Sequence, residues 1–193
     1  MYPSRRKRSS VNVLPSYDVR YKVIILGDAG VGKSQLIRTA VGESFSPVSV
    51  STIGIDYLKR QFIVDDKTIQ LDLWDTAGSE KFRALSLQHF RDAKCFVLVF
   101  DITDVESFQH IKTDWMPLIH KHFDGHAPLF LVGNKIDLVE KRQVSREAAQ
   151  QFLSKQCGSL YVETSAKTSS NVDTLFAQVA TALLGYHGIP IPT

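Results

Sequence analysis

This sequence has only two cysteines and no long apolar run, and it carries little net charge outside one short segment. No stretch reaches the roughly 18 apolar residues that a membrane-spanning helix requires, so no spanning helix is expected. The basic segment MYPSRRKRSS is not followed by an apolar one, so we expect no secretory signal peptide. Cys95 and Cys157 lie far apart, in or near apolar segments, which favours buried thiols of a cytosolic protein over a disulfide framework.

The formal charge of +3 is concentrated near the N-terminus. Residues 1–20 carry five Lys or Arg and one Asp, which leaves the other 173 residues with a charge of −1. A nucleic-acid-binding protein with a broad basic surface is therefore not expected. The basic run at residues 5–8 is either a solvated tail or a weak attachment to acidic lipid or another polyanion, and both interpretations stay open.

The length of 193 residues and the apolar fraction of 44% predict one domain with a full core. We expect a basic, disordered extension at residues 1–19, one folded domain at 20–185 and a short tail at 186–193. Short apolar, β-branched segments alternate in the folded part with longer amphipathic ones. Strands are predicted at residues 21–26, 56–64, 68–74, 95–101, 129–134 and 160–164.

Helices are predicted between most of these strands. They are expected to begin at Lys33, near Val105 with Thr103 and Glu106 as a capping box, after Ser145, and at about residue 171. The turn DDK predicts an antiparallel hairpin of the second and third strands. The alternation as a whole predicts an α/β fold with a doubly wound, mostly parallel sheet, whose ligands lie at the carboxyl ends of the strands.

A phosphate-binding pattern follows the first predicted strand. GDAGVGKS, residues 27–34, fits G-x-x-x-x-G-K-[ST] and lies between a strand and a helix, which disfavours an ordinary Gly-rich turn. Glycines let backbone N–H groups turn inward toward phosphate oxygens, and the following helix presents its positive end to the same anion. Lys33 is expected to reach the β- and γ-phosphates, and the Ser34 hydroxyl to ligate Mg²⁺.

The third predicted strand ends in LDLWDTAG, with an acid and a glycine. An isolated Asp at a strand end is more often a turn residue. Beside a phosphate-binding loop, however, Asp75 is expected to hold a magnesium-bound water. Gly78 then presents an N–H that approaches the γ-phosphate and senses its loss.

A base-recognition pattern follows the fifth predicted strand, where Asn134, Lys135 and Asp137 form N-K-x-D. Guanine presents two adjacent donors, its N1–H and its 2-amino group, and the Asp137 carboxylate can accept from both. Adenine lacks this pair of donors and would leave the acid without a partner. ETSAK, residues 163–167, follows the sixth strand; it is either a plain turn or a wall of the same pocket, where the Ala166 N–H donates to guanine O6.

The phosphate loop, DTAG, NKID and SAK occur in this order, and the chain resembles the Ras-like small GTPases over about residues 20–184. STIGIDY, LDLWDTAG, KFRAL and FDIT are similar to the Rab branch. The resemblance implies a P-loop NTPase fold with six strands, one of them antiparallel, and about five helices. It also implies a guanine-nucleotide switch that binds GTP or GDP with Mg²⁺, hydrolyses GTP and regulates vesicle and membrane traffic.

The resemblance also assigns roles to individual residues. Thr52 is expected to ligate Mg²⁺ and contact the γ-phosphate only in the GTP state, Phe45 to lie edge-on to the guanine, and Lys135 and Lys167 to cover the base and ribose. Without the resemblance, Phe45 would be interpreted as a core-facing loop residue. The nucleotide-binding set is Asp28, Ala29, Gly30, Val31, Gly32, Lys33, Ser34, Gln35, Phe45, Thr52, Gly78, Asn134, Lys135, Asp137, Leu138, Ser165, Ala166 and Lys167. The metal set is Ser34, Thr52 and, through water, Asp75.

The resemblance implies two switch segments, at about residues 45–57 and 76–90, that contact effector, exchange-factor and activating proteins. Trp74, Phe62 and Phe82 match the aromatic cluster that presents the switch state, with a buried structural cluster as the alternative. We expect a cytoplasmic monomer without a nucleic-acid partner, able to associate peripherally with the cytosolic face of an endomembrane.

The sequence departs from the family pattern at Ser79, where the family has the Gln that orients the attacking water. The Ser hydroxyl is too short to contact both water and γ-phosphate, so we expect slow hydrolysis, with Lys33, Thr52 and Gly78 as the other catalytic residues. A largely GTP-locked binding module or scaffold is the alternative, and an ATP-using P-loop kinase is disfavoured by Asp137.

A second departure concerns lipidation. No cysteine follows Cys157 in this sequence, so prenylation is not expected. Two interpretations stay open: the sequence is truncated at its C-terminus, or the protein is recruited by protein contacts or by the basic N-terminal segment, although durable anchoring usually takes two signals.

Overall fold

Six strands form one mixed sheet whose carboxyl ends carry the predicted motifs. The computed structural model describes residues 16–46, 55–76, 90–123, 127–154 and 159–187. The strands are β1 (Val19–Leu26), β2 (Ile55–Val64), β3 (Lys67–Thr76), β4 (Cys95–Asp101), β5 (Leu129–Asn134) and β6 (Ser159–Glu163). Their order is β2-β3-β1-β4-β5-β6. Only β2 and β3 pair antiparallel within this sheet, which confirms the predicted architecture.

Helices connect the strands within the described residues. They are α1 (Lys33–Ala40), α2 (Val105–His110), α3 (Met116–His122), α4 (Arg146–Leu153) and α5 (Val172–His187). A π-helical turn, Ile111–Trp115, joins α2 to α3, and a 3-10 helix, Ile136–Lys141, follows β5. The sequence did not predict the π-helical turn, because one extra residue in a helical turn hardly changes the hydrophobic periodicity.

The sheet is covered on both faces. Val23 and Ile25 of β1 pack with residues of α1 and α5 in one apolar cluster. Ile24 and Leu26 pack with residues of α2, α3 and α4 in the other. Since successive strand side chains point to opposite faces, a central strand between two helical layers must be apolar at nearly every position.

The hairpin between β2 and β3 is confirmed. Asp65 and Asp66 have φ angles of 47° and 60°, and Val64 pairs with Lys67 across the turn. Positive φ at both central residues is typical of the type I′ turn, whose twist matches that of the two strands.

The N-cap of α2 is Asp104, and the predicted capping box of Thr103 and Glu106 was wrong. Asp104 Oδ1 accepts the N–H groups of Glu106 at 3.0 Å and of Ser107 at 3.4 Å. Thr103 donates its N–H and its hydroxyl to Asp101 Oδ1 instead. Both residue types cap helices, and here the carboxylate directly precedes the first helical residue.

Cys95 is buried and free, as predicted, and burial raises the pKa of its thiol. Cys157, residues 1–15 of the predicted extension and residues 188–193 of the predicted tail lie outside the described residues. In the part of the chain that the structure describes, no helix is long and apolar enough to cross a bilayer.

Candidate nucleotide-binding site

A cavity of about 260 Å³ opens where the loops after β1, β5 and β6 meet. It is lined by Gly30, Gly32, Gln35, Phe45, Ser46, Asn134, Lys135, Asp137, Leu138, Ala166 and Lys167. All of these except Ser46 belong to the predicted nucleotide-binding set. Motifs that lie far apart in the sequence therefore meet at one edge of the sheet, as the strand topology requires.

The phosphate-binding loop, residues 27–34, is held close to the rest of the site by two glycines. Gly27 and Gly32 have φ angles of 141° and 100°. A Cβ at Gly32 would lie 2.4 Å from Asn134 Nδ2, and a Cβ at Gly27 would lie 2.1 Å from the Val99 carbonyl oxygen. Only glycine combines these φ angles with such close approach, so the loop can contact the base-recognition loop directly.

The Lys33 ammonium is buried beneath the phosphate-binding loop, with only 6% of the residue exposed. Its Nζ donates to the carbonyl oxygens of Gly27 and Asp28, each at 2.8 Å. Burial lowers the pKa of Lys33 to about 8, although the charges of Asp75 and Asp28 oppose this shift. A desolvated cation among inward-turned backbone groups suits a polyphosphate ligand.

Asp75 lies next to the point where β1 leads into this loop, because it pairs with Ile25 in the β1–β3 register. It is 6% exposed, and its charge raises the pKa of Lys33. Ser34 is in the first turn of α1. Outside the described residues lie Thr52, Gly78 and Ser79.

The donors at this site suit a Mg²⁺ ion that is held partly by the phosphates of a ligand. No group of three or more His, Cys, Asp or Glu could hold a metal within the described residues. A hydroxyl, a carboxylate and ligand phosphate oxygens are the hard donors that Mg²⁺ takes at nucleotide sites. Ser34 and Asp75 therefore fit the predicted ion.

Asn134 joins the three loops of the site. Its side chain is buried, and its Nδ2 donates to the Val31 carbonyl oxygen at 2.9 Å. Its Oδ1 accepts from the Thr164 hydroxyl at 3.1 Å and from the Ala166 N–H at 3.2 Å. The predicted donation of the Ala166 N–H to guanine O6 stays a prediction, since this N–H contacts Asn134 here.

Asp137 is fixed in the pocket by a neighbouring hydroxyl. The Ser165 Oγ donates to Asp137 Oδ1 at 2.6 Å, and the Lys167 ammonium lies 3.9 Å from Asp137 Oδ2. The Asp137 side chain is 13% exposed. A carboxylate has about four lone-pair directions, so Asp137 retains acceptor capacity toward a ligand with two adjacent donors.

Phe45 and Lys135 also line the cavity. Phe45 is 39% exposed, which agrees with a ligand-facing ring and not with the alternative of a core-facing one. Lys135 has a left-handed backbone conformation, with φ of 69°, and its ammonium lies 2.7 Å from Asp101 Oδ2. This ion pair holds the Lys135 side chain along one wall of the pocket.

The cavity lining does not include six described residues of the predicted set: Asp28, Ala29, Val31, Lys33, Ser34 and Ser165. Val31 is 2% exposed and belongs to the apolar core. Ala29 is exposed on the loop. The Asp28 carboxylate contacts His110 and Trp115 on the helical side of the loop. Since their side chains face away from the cavity, Val31 and Asp28 can offer only backbone groups to a ligand there.

The family model described as the Ras family matches residues 22–185 of this chain. The chain belongs to the Ras family. It is 39% identical over 170 residues to the Ras-related protein Rab-1 of Theileria parva, covering 88% of this chain and 77% of that protein. It is 41% identical over 171 residues to the Ras-related protein YPTC6 of Chlamydomonas reinhardtii, covering 89% and 77%. The Ras-related protein SEC4 of Candida albicans is 39% identical over 172 residues, covering 89% and 81%.

These relatives confirm the resemblance that the motifs predicted, so the chain is a Rab-like small GTPase. The observed six-stranded sheet, in which one strand is antiparallel, is consistent with the Ras family match. Because the Ras family match runs from within β1 to within α5, the family and the observed fold describe nearly the same part of the chain.

An ionic cluster around Glu163 in this Rab-like small GTPase was not predicted. Glu163, with a side chain 5% exposed, accepts two hydrogen bonds from Arg142 at 2.8 and 3.1 Å. It accepts one each from Arg146 and the Tyr161 hydroxyl, both at 2.8 Å. Burial alone would raise the pKa of Glu163, but these hydrogen bonds lower it to about 2. The cluster joins β6 to the segment that follows the Asp137 loop.

Tyr57 of β2, which is exposed, stacks on the half-buried Trp74 of β3, and the prediction that Phe62 joins Trp74 was wrong. The two rings stack with centroids 5.1 Å apart and planes 18° apart. The ammonium groups of Lys22 and Lys59 lie over the Trp74 and Tyr57 rings, respectively. Phe62 is on the other face of the hairpin and packs against the apolar core, which agrees with the alternative prediction of a buried structural role. Phe82 lies outside the described residues.

Proposed function

We propose that this Rab-like small GTPase is a molecular switch that binds GTP and GDP in the cavity between its three loops. The observation that supports this most strongly is that the phosphate-binding loop, Asp137 and Ala166 line one cavity, with the Asp137 carboxylate fixed by Ser165. The N1–H and 2-amino donors of guanine match that carboxylate, whereas adenine offers no such pair.

The phosphates would lie against the phosphate-binding loop, whose backbone N–H groups and Lys33 face them. Ser34, Thr52 and, through water, Asp75 would hold Mg²⁺. Mg²⁺ held by these residues would supply charge neutralisation for the phosphates. Lys33 contributes a cation that is already desolvated, so little reorganisation is required when the polyphosphate binds.

GTP hydrolysis would proceed by in-line attack of water on the γ-phosphorus, with cleavage of its bond to the oxygen that GDP retains. Thr52 and Gly78 would orient the γ-phosphate. Ser79 stands where a longer side chain would hold the water, so we propose that the intrinsic rate is low.

Ser79→Gln is expected to raise the single-turnover rate of GTP hydrolysis by about tenfold or more, because a Gln amide reaches both water and γ-phosphate. The measurement is phosphate release from protein preloaded with GTP in Mg²⁺. Ser79→Asn, whose amide is one methylene shorter, serves as the matched control and should stay near the wild-type rate. Equal rates for wild type and Ser79→Gln contradict the assigned role of Ser79.

A second candidate function is a GTP-locked binding module or scaffold, and Ser79 is the feature that favours it. The two functions differ in the nucleotide that the purified protein carries. Mostly GDP supports turnover, and mostly GTP supports the binding module.

We further propose a role in vesicle and membrane traffic, with effector, exchange-factor and activating proteins as partners. Relatives named Rab-1 and SEC4 support this proposal. The exposed Tyr57 ring, which stacks on Trp74, belongs to the first of the proposed partner-binding segments, residues 45–57 and 76–90. We propose that the protein is a cytosolic monomer that associates peripherally with an endomembrane.

The switch is tested by measuring the rates of nucleotide exchange and of GTP hydrolysis with and without a Rab-type activating protein. If neither rate changes, the result counts against the proposed switch.

A further inference from the structure

The second residue of the phosphate-binding loop, Asp28, is held from the helical side. Its Oδ1 accepts the indole N–H of Trp115 at 2.9 Å, and its Oδ2 lies 2.5 Å from His110 Nδ1. Trp115 is fully buried, and the Asp28 side chain is 19% exposed. Both carboxylate oxygens of Asp28 are therefore engaged by residues 82 and 87 positions away in the sequence.

The π-helical turn explains how His110 and Trp115 reach the same carboxylate. In an α-helix, residues three or four apart share a face, whereas these two residues are five apart. The turn Ile111–Trp115 follows His110 directly and ends at Trp115. Its i→i+5 hydrogen bonding brings residues five apart onto one face.

Asp28 also contacts Lys33 through its backbone. Its carbonyl oxygen accepts from Lys33 Nζ at 2.8 Å, beside the matching contact from Gly27. Asp28 is thus held by His110 and Trp115 through its side chain. Its carbonyl oxygen is one of the two acceptors that hold the Lys33 ammonium group. A shift of Asp28 would move one carbonyl acceptor of that buried cation.

The contacts also control where the negative charge of Asp28 lies. A carboxylate in a phosphate-binding loop repels a polyphosphate unless it points away or is paired. Trp115 and His110 hold this carboxylate on the side of the helices, and Asp28 does not line the cavity.

We propose that Trp115 and His110 are positioning residues that fix Asp28 and, through its carbonyl oxygen, aim the Lys33 ammonium at the β-phosphate of a bound nucleotide. Neither Trp115 nor His110 lines the cavity, so both act through Asp28. The inference rests on the proposed function, because it requires a nucleoside diphosphate or triphosphate in the cavity.

The test compares GDP with GMP, which lacks the β-phosphate, in competition with a fluorescent GDP analogue. Trp115→Phe keeps an aromatic ring and removes the N–H, and it should raise the Kd for GDP about tenfold, the effect of one lost hydrogen bond to a charged group. The Kd for GMP should stay within about twofold, since its phosphate does not reach the Lys33 ammonium. A general structural defect would weaken both nucleotides alike.

Asp28→Asn is the second variant, because its amide oxygen can still accept from Trp115 while the charge that faces His110 is lost. We expect about a threefold rise in the Kd for GDP. Combining Asp28→Asn with Trp115→Phe should cost less than the sum of the two effects, because the neutral amide in Asp28→Asn already weakens the hydrogen bond that Trp115→Phe removes. Met116→Leu, at the next buried position, and His120→Asn, an exposed histidine of α3, are matched controls that should bind GDP as the wild type does.

Unchanged GDP binding in both Trp115→Phe and Asp28→Asn, or equal losses for GDP and GMP, would overturn the inference. If Trp115→Phe does not fold, the GDP and GMP affinities of Asp28→Asn and His110→Asn test the inference instead, because both variants replace partly exposed side chains. A wild-type chain that does not prefer guanine over adenine nucleotides would instead contradict the proposed function, whatever the variants do.

Discussion

Replacing Asp137 by Asn is expected to reverse the base preference, so that xanthosine triphosphate binds more tightly than GTP. The carboxylate accepts from two adjacent donors of guanine, whereas an Asn amide offers one acceptor and one donor, which matches the 2-carbonyl of xanthine. The preference for GTP over xanthosine triphosphate should change by about 10³-fold or more. Competition of both nucleotides against a fluorescent GDP analogue measures it.

The control for Asp137→Asn is Glu140→Gln, an exposed acid in the same 3-10 helix, Ile136–Lys141. It removes the same charge from the same segment but does not line the cavity, so the preference for GTP should persist. If Asp137→Asn leaves the preference for GTP over xanthosine triphosphate unchanged, the carboxylate does not read the base.

Glu163→Gln is expected to lower the free energy of unfolding at neutral pH by about 3 kcal/mol, because it leaves Arg142 and Arg146 without their shared counter-charge. The Glu163 side chain is 5% exposed and accepts from three partners; the exposed Arg146 can be solvated by water, so the loss falls mainly on the contacts of Arg142 and Tyr161. Since the cluster joins β6 to the segment after the Asp137 loop, faster dissociation of GDP should accompany the lost stability. Urea unfolding measures the first effect and release of a fluorescent nucleotide the second.

The effect of Glu163→Gln should depend on pH. The pKa of Glu163 is about 2 in the folded chain against 4.5 as its ordinary value. A lowered pKa stabilises the fold above the ordinary pKa, and this stabilisation is lost as the pH falls from about 4.5 toward 2. The difference in unfolding free energy between wild type and Glu163→Gln should therefore shrink below about pH 4.5. Glu147→Gln, an exposed acid of α4, is the control, and a difference independent of pH contradicts the assignment.

The sheet and the three site loops were predictable because their signals are local. Buried strands of a doubly wound sheet have near-continuous apolar sequences, and β4 is buried at every position. Each motif directly follows a strand, so the topology alone brings the motifs to one edge. Ser46 was missed because no motif includes it; its N–H contacts the Gln35 side chain at the cavity.

Other features depend on contacts between distant positions and had no signal in the spacing of residues. The contacts of His110 and Trp115 with the Asp28 carboxylate require a π-helical turn that brings these two residues onto one face. In the Glu163 cluster, Arg142 and Arg146 precede Glu163 by 21 and 17 positions, and only the folded chain brings them together with it.

The aromatic pair was within reach of sequence reasoning. Tyr57 and Phe62 are five positions apart on one strand, so their side chains must point to opposite faces of the sheet. Only one of them could therefore join Trp74, and the cross-strand register selects Tyr57. The alternation along β2 therefore excludes a cluster of both rings with Trp74, and the register is needed to choose between them.

Displacement of a fluorescent GDP analogue from the wild-type chain by GDP and by ADP, in Mg²⁺, tests the guanine-specific pocket most directly. ADP has the same phosphates, so the comparison isolates recognition of the base by Asp137 and its neighbours. We predict that ADP is weaker than GDP by about 10³-fold or more. Displacement by ADP at the same concentration as GDP would show that these loops do not form a guanine site.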